Sequence, residues 1–396
     1  MSNRPIASAL RSLKRHAGPL HLFKFSPGYF SSTATNAVRA VFSETGNAEL
    51  NSILSSIQEK IILPAHLPEK QRKIVFDPKQ RSFLEQNPII IEVDGLEHKF
   101  SSIDRFRGVE NSKKVLSNAL DSMHSAEDWA NLGTLLAGYK KAGIRLKANH
   151  WGKIVRVAGT KGHIFAVIEC AKQSDRTGFV FRTPETAVRV LAFVNDKITE
   201  SAWDASETKQ ALTWAEMVLD LLQRPEHAVL SPRTRERLHF SRLVRGMVLF
   251  ARASAVKVGQ AAERDTNLLK DEVALLSSLW EDAVDKDLLE VPEFANLNPW
   301  VERNASDKSH HIPQALNGIA YIQVLAQNIK GIELAQEQLG DDATSLSPAL
   351  DNLKSHLQDF ATKSQDTMKE AWAKEYEKVM GSKPSWPAVA APAAEA

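Results

Sequence analysis

Residues 132–162 read LGTLLAGYKKAGIRLKANHWGKIVRVAGTKG, and the spacing inside this stretch decides the fold class. Leu132, Leu135 and Tyr139 recur at three and four residues before Gly143, and Trp151, Ile154 and Ala158 do the same before Gly162. Apolar residues at that spacing share one face of an α-helix. A glycine just past the last of them is a helix stop. The stretch therefore predicts helices over 125–142 and 148–161. Trp151, Ile154 and Ala158 turn inward; Lys153, Arg156 and Lys161 turn outward.

The same period continues over 163–173, 184–198, 207–224, 232–259, 266–285, 311–338 and 346–380, with glycines and prolines between the segments. Residues 31–70 also carry a helical pattern. One region reads as strand. Lys73-Ile74-Val75-Phe76 is short and β-branched, and the runs 88–93 and 96–100 flank Asp94-Gly95. Asp-Gly between two such runs is a hairpin signal, because both residues tolerate positive φ. The expected fold is mainly α: an irregular α–α helical array, solenoid-like, with one small N-terminal β-hairpin at 86–104.

The two glycine-closed stretches line up with one another, and Thr177-Gly178 followed by Pro184 closes the region. The pattern, aromatic or aliphatic, aliphatic, small or aromatic, then Gly, resembles the first helix of a pentatricopeptide repeat. Over 127–198 the chain is thus similar to the pentatricopeptide/tetratricopeptide class of helical-hairpin proteins of mitochondria. The resemblance implies packed helix pairs. Organellar proteins of that class are mostly RNA factors, so it also implies an RNA-facing surface.

Charge is distributed unevenly. No Asp or Glu occurs before Glu44, while Arg4, Arg11, Lys14, Arg15, Lys24 and Arg39 are spaced by small and hydroxylated residues. Ile6, Leu10 and Leu13 share a helical face. An acid-free, Arg- and Ser-rich amphipathic start is the signature of a mitochondrial transit peptide. It is expected over 1–30, with the mature chain starting near Ser31 and residing in the matrix. Residues 1–257 carry a net charge of +13 and residues 258–396 a net charge of −11. The expected organisation is 31–110 as an α/β segment, 111–260 as a basic helical domain, 261–380 as an acidic helical domain, and 381–396 as a Pro/Ala-rich disordered tail with a possible anchor at Trp386.

Two basic features stand out. Within 139–182, Lys140, Lys141, Arg145, Lys147, Lys153, Arg156, Lys161, Lys172, Arg176 and Arg182 face only Glu169 and Asp175. Such a surplus suits RNA phosphates; a solvated or protein-binding face is the alternative. His150, Trp151 and His163 could stack on bases, although Trp151 occupies a core position. In the helix expected over 232–259, Arg235, Arg242, Arg245 and Arg252 fall within one arc. They present an RNA-binding stripe, or they pair with Glu263, Asp265, Asp271 or Glu272 in the acidic part that follows. Gly159-Thr160-Lys161-Gly162 carries the GxxG of the KH clamp but lacks flanking strands, so it reads as helix punctuation.

Other chemistry is poorly represented. The single Cys170 excludes an internal disulfide and a multi-cysteine zinc site. There is no G-x-S-x-G, G-x-G-x-x-G, Walker A or H-E-x-x-H motif. His310-His311 has no carboxylate at ligand spacing, and no apolar run reaches the ~18 residues of a membrane span. No catalytic residue, metal or cofactor is expected. The expected class is a non-catalytic mitochondrial constituent or partner of the ribosome, active in mitochondrial translation. Its basic face would meet ribosomal or messenger RNA, and its acidic C-terminal helices other mitochondrial proteins. A protein-only scaffold, such as an assembly factor for a respiratory-chain complex, is the alternative.

Overall fold

A computed structural model describes residues 41–93, 95–104, 110–228, 237–259, 263–301, 315–363 and 366–386. Residues 1–40 lie outside it, so the transit peptide does too. Within 31–70, expected as helical, the described residues 41–47 are irregular. The Asn131 side chain accepts from Ser43 N–H at 2.9 Å and donates to Ser43 O at 3.0 Å. Helix α1 (Ala48–Ile57) starts on the Asn47 side chain, which accepts the Leu50 amide. It runs through a π turn (Gln58–Ile62) into a 3-10 turn (Leu63–His66).

The segment Lys73–Phe76, expected as strand, is the end of helix α2 (Glu69–Val75). Pro68 precedes its first turn, Glu69 lies in that turn, and Lys73 pairs with Glu69 at 2.8 Å. These start signals outweigh the β preference of two branched residues. Helix α3 (Arg81–Gln86) takes up the first residue of the expected hairpin. The hairpin itself forms as expected from its Asp-Gly signal. Strands β1 (Ile90–Val93) and β2 (Leu96–Lys99) pair antiparallel, with Ile90 opposite Lys99 and Val93 opposite Leu96. Leu63, Leu67, Val75, Leu84 and Phe100 form a small core of their own beneath it.

From Ser112 the described chain is helical. Helix α4 (Ser112–Ser122) is capped by Asn111, and α5 (Ala126–Ala130) by a Ser125–Asp128 capping box. Then follow α6 (Leu132–Lys141), α7 (Ala148–Thr160), α8 (Ile164–Lys172), the short α9 (Ser174–Thr177), α10 (Pro184–Glu200) and α11 (Ala205–Gln223). Leu132, Leu135, Tyr139, Ile154 and Ala158 are fully buried, and Trp151 is half-buried. Gly143 and Gly162 take φ of +73° and +77°. At each, the following amide reaches back into the helix: Ile144 N to Tyr139 O at 3.0 Å, and His163 N to Ala158 O at 2.8 Å. The likeness between the two stretches is thus a shared way of ending a helix. Helices α6 to α11 have 10, 13, 9, 4, 17 and 19 residues, so no unit length recurs across them.

The remaining helices are α12 (Arg242–Val258), α13 (Glu263–Trp280), α14 (Pro292–Leu297), α15 (Gly318–Leu339), α16 (Ser347–Thr362) and α17 (Asp366–Met380). The helix expected over 232–259 begins only at 242. Ser241 is extended, caps Val244 N–H, and follows a 3-10 turn at Leu238–Phe240. The helix expected from 311 begins at Gly318 on an Asn317 cap, and the one expected over 346–380 is two helices.

One hydrophobic core runs from Leu50 to Trp386, continuous across residue 260. Trp386 packs edge-on against Tyr376, with ring centroids 5.1 Å apart. At the centre α12 lies against α15. A Cβ on Gly331 would sit 2.9 Å from Phe250 N and 3.0 Å from Gly246 O, and one on Gly246 would meet Asn328 Oδ1 at 1.8 Å. Beside this crossing, buried Asn195 of α10 donates to Met247 O and Gln327 Oε1, both at 3.1 Å, and Gln327 donates to Ala192 O at 3.1 Å. Overpacking costs about 1–3 kcal/mol. Gly331→Ala is expected to lose that much in chemical unfolding, while Gly46→Ala, with open space around it, should change stability by less than about 0.5 kcal/mol.

Candidate nucleic-acid interface

The basic segment 139–182 lies around α4, α6 and α7. Tyr139 Oη donates to Ser112 O at 2.7 Å, bringing the end of α6 to the start of α4. Lys161, at the end of α7, donates to Asp121 O at 2.5 Å and Met123 O at 2.6 Å, at the end of α4. So α4 and α7 run side by side in the same direction, and α6 runs against them. Trp151 meets Phe179 edge-on at 5.5 Å, Phe179 meets Phe181 at 5.4 Å, and Phe181 N–H donates to His227 Nδ1 at 3.1 Å. These contacts seat the 178–182 connection beside the start of α7. Burial holds the His227 imidazole below its ordinary pKa, and the nearby Arg224 and Arg182 charges push the same way.

Several of the expected cations act inside the chain. Lys140 caps α9 by donating to Asp175 O at 2.5 Å, much as Lys161 caps α4. A lysine there satisfies carbonyls left open at a helix end and complements the dipole. Lys153 pairs with Asp121 at 3.1 Å and Lys172 with Glu169 at 2.7 Å. Arg176 is exposed on α9. Lys141, Arg145, Lys147, Arg156 and Arg182 are exposed and have no acidic partner among the described residues. Four of these five lie at the shared end of α6 and α7 and on the adjoining 178–182 connection, and Arg156 lies further along α7. Trp151 and His163 are engaged within the protein, His163 against the Trp129 ring at 5.8 Å and near His124 O at 2.9 Å.

The arginines of α12 turn inward, which corrects their reading as an RNA-binding stripe. Arg242 donates to Leu279 O at 2.8 Å, pairs with Asp282 and with Glu293 at 3.4 Å, and lies over the Trp280 ring at 5.9 Å. Arg245 pairs with Glu272 at 2.6 Å; Arg252 pairs with Glu216 at 3.1 Å and Glu272 at 3.6 Å. All three side chains are only 12–16% exposed. Arg235 lies outside the described residues. Of the acidic partners considered from sequence, Glu272 is the one engaged; Glu216, Asp282 and Glu293 come from turns and helices whose approach a helical wheel does not show. Burial pushes the Glu272 carboxyl up and the Arg245 guanidinium down, and each partner's charge offsets that cost.

The described residues hold no group of three or more His, Cys, Asp or Glu able to bind a metal. Cys170 is buried and desolvation pushes its thiol up. His310 and His311 lie outside the described residues, and no described helix is long and apolar enough to cross a membrane.

The family model of mitochondrial ribosomal protein mS27 matches residues 29–379. The chain belongs to the mitochondrial ribosomal protein mS27 family. A relative from Neurospora crassa, small ribosomal subunit protein mS27, is 32% identical over 195 residues, which is 49% of this chain and 49% of that protein. The chain thus aligns with about half the length of the curated relative it matches. The ribosomal class and the mitochondrial matrix expected from the sequence are those of the mS27 family.

Within this mS27-family chain the inward and outward cations differ in what they stabilise. Removing one partner of a buried pair leaves an uncompensated charge and costs about 3–5 kcal/mol. Arg245→Ala is expected to approach the lower end of that range in urea unfolding, because it removes the 2.6 Å partner of buried Glu272 and leaves only Arg252 at 3.6 Å. Arg156→Ala should stay within about 0.5 kcal/mol of the parent.

Proposed function

We propose that this chain is a non-catalytic constituent of the mitochondrial small ribosomal subunit that contacts ribosomal RNA through Lys141, Arg145, Lys147, Arg156 and Arg182. The observation that carries this reading is the contrast in partners. The cations of α12 are neutralised from within, while these five are exposed with no acid paired to them among the described residues. An uncompensated cationic surface binds nucleic acid through phosphate contact and counterion release. Lys140, Lys153, Lys161 and Lys172 support the surface as helix caps and ion-pair partners rather than as direct contacts. The exposed acids of the C-terminal part, such as Asp271 on α13 and Asp285 and Glu290 in the turns after it, serve contacts with neighbouring proteins.

Charge reversal of the five cations together is expected to remove the protein from small-subunit fractions in sedimentation while its thermal midpoint holds. The slope of log affinity against log salt for RNA should become shallower by about 4. Unchanged association, with no RNA crosslink in 139–182, would favour a protein-only scaffold instead.

Residues 1–30 act in this reading as a cleaved leader, and the family match beginning at residue 29 supports that. The mature N-terminus, read by mass spectrometry of the purified organelle, is expected near Ser31.

A further inference from the structure

We infer that the open edge of β1 receives an extended segment of a neighbouring ribosomal protein as a third strand, with a Lys or Arg of that segment beside Glu92 and an apolar side chain beside Ile90. This rests on membership of the small subunit and is independent of the RNA contact.

The ladder defines the edge. Phe100 N–H donates to Ile89 O at 3.0 Å, and these two residues continue the β1–β2 register, so they form a hydrogen-bonded pair. Bonded and non-bonded pairs alternate along antiparallel strands. Ile91 with His98 and Val93 with Leu96 are therefore bonded pairs. Ile90 with Lys99 and Glu92 with Glu97 turn their N–H and C=O groups to the two outer edges. Those of Ile90 and Glu92 meet no partner among the described residues. A row of unpaired donors and acceptors on a strand edge is the template on which another chain adds a strand.

The side chains say what that chain carries. Ile89, Ile91 and Val93 pack on the small core, so Ile90, Glu92, Glu97 and Lys99 share the outward face, where all four are exposed. Ile90 is 48% exposed. Glu92 stands directly opposite Glu97, and side chains come closest in such a non-bonded pair, so the two carboxylates repel. Neither acid has an ion pair among the described residues. The β2 edge carries one charge of each sign, Glu97 and Lys99, and an edge lysine keeps other strands away. The β1 edge carries Ile90 and Glu92 and no cation. Its complement is a strand with an apolar and a basic residue two positions apart. Pairing with the β1 of a second copy would set Glu92 against Ile90 or another Glu92, so charge selects a different chain.

The test compares the full chain, free and in purified small-subunit particles. In the free chain the Ile90 and Glu92 amides should exchange hydrogen fast and those of Ile91 and Val93 slowly. In particles all four should be slow, read by mass spectrometry with residue-level fragmentation. Glu92→Lys gives Glu97 an opposite charge, so the thermal midpoint of the free chain is expected to hold or rise. The same variant sets like charges together at the third strand, so its incorporation in competition with the parent should fall about fivefold or more. The third strand is overturned if E92K enters particles like the parent, if its loss from particles follows a lowered midpoint, or if Ile90 and Glu92 stay fast in particles. Protection of the same two amides that grows with concentration of the free chain would make a second copy the occupant and overturn the basic partner. Absence of the parent chain from particles would remove the ribosomal reading as well.

Discussion

The close crossing of α12 and α15 is the constraint on which the other contacts depend. Gly246 and Gly331 let two backbones approach to a distance that any side chain would forbid. Helices this close leave little room for apolar filling, and the polar side chains beside them are fixed by direct bonds. Bonds among Asn195, Gln327 and the Met247 carbonyl join α10 to both helices. One shell out, Gln323 donates to both oxygens of Asp196 at 2.8 Å, and Lys378 of α17 pairs with Asp196 at 2.9 Å. The C-terminal helix is therefore registered against α10 through the same centre. A buried network is stabilising only when its members are satisfied, so the crossing distance sets whether these bonds form.

The charge gradient takes on a physical meaning in this arrangement. The acidic third does not face the basic part as one block. Glu272, Asp282 and Glu293 reach α12 and neutralise its arginines one by one. What remains positive is the end formed by α4, α6 and α7, remote from those acids in the chain. Separation of this kind keeps the exposed charge from being quenched by the protein's own carboxylates, and it leaves attraction for an anionic partner tunable by salt.

Helix content, the hairpin at Asp94-Gly95 and the glycine stops at Gly143 and Gly162 were legible in the sequence because each rests on local chemistry. Lys73–Phe76 was misread because Pro68, Glu69 and the Lys73–Glu69 pair decide it, and they lie upstream of the branched residues. The arginines of α12 were placed on an outer face because a helical wheel carries phase but not neighbours. Glu272 and Glu216 arrive from helices on either side. In 139–182 the surplus was real in composition, yet Lys140 and Lys161 were invisible as caps until α9 and α4 were seen to end beside them.

The reciprocal bonds between Ser43 and Asn131 fix where the chain's front end joins the body. Asn131 stands at the start of α6, and Lys141 at its far end, one helix length or ~15 Å away. The front end of the described chain is therefore held at the opposite pole of α6 from Lys141. A change at that joint reaches the exposed cations only through the length of a single helix.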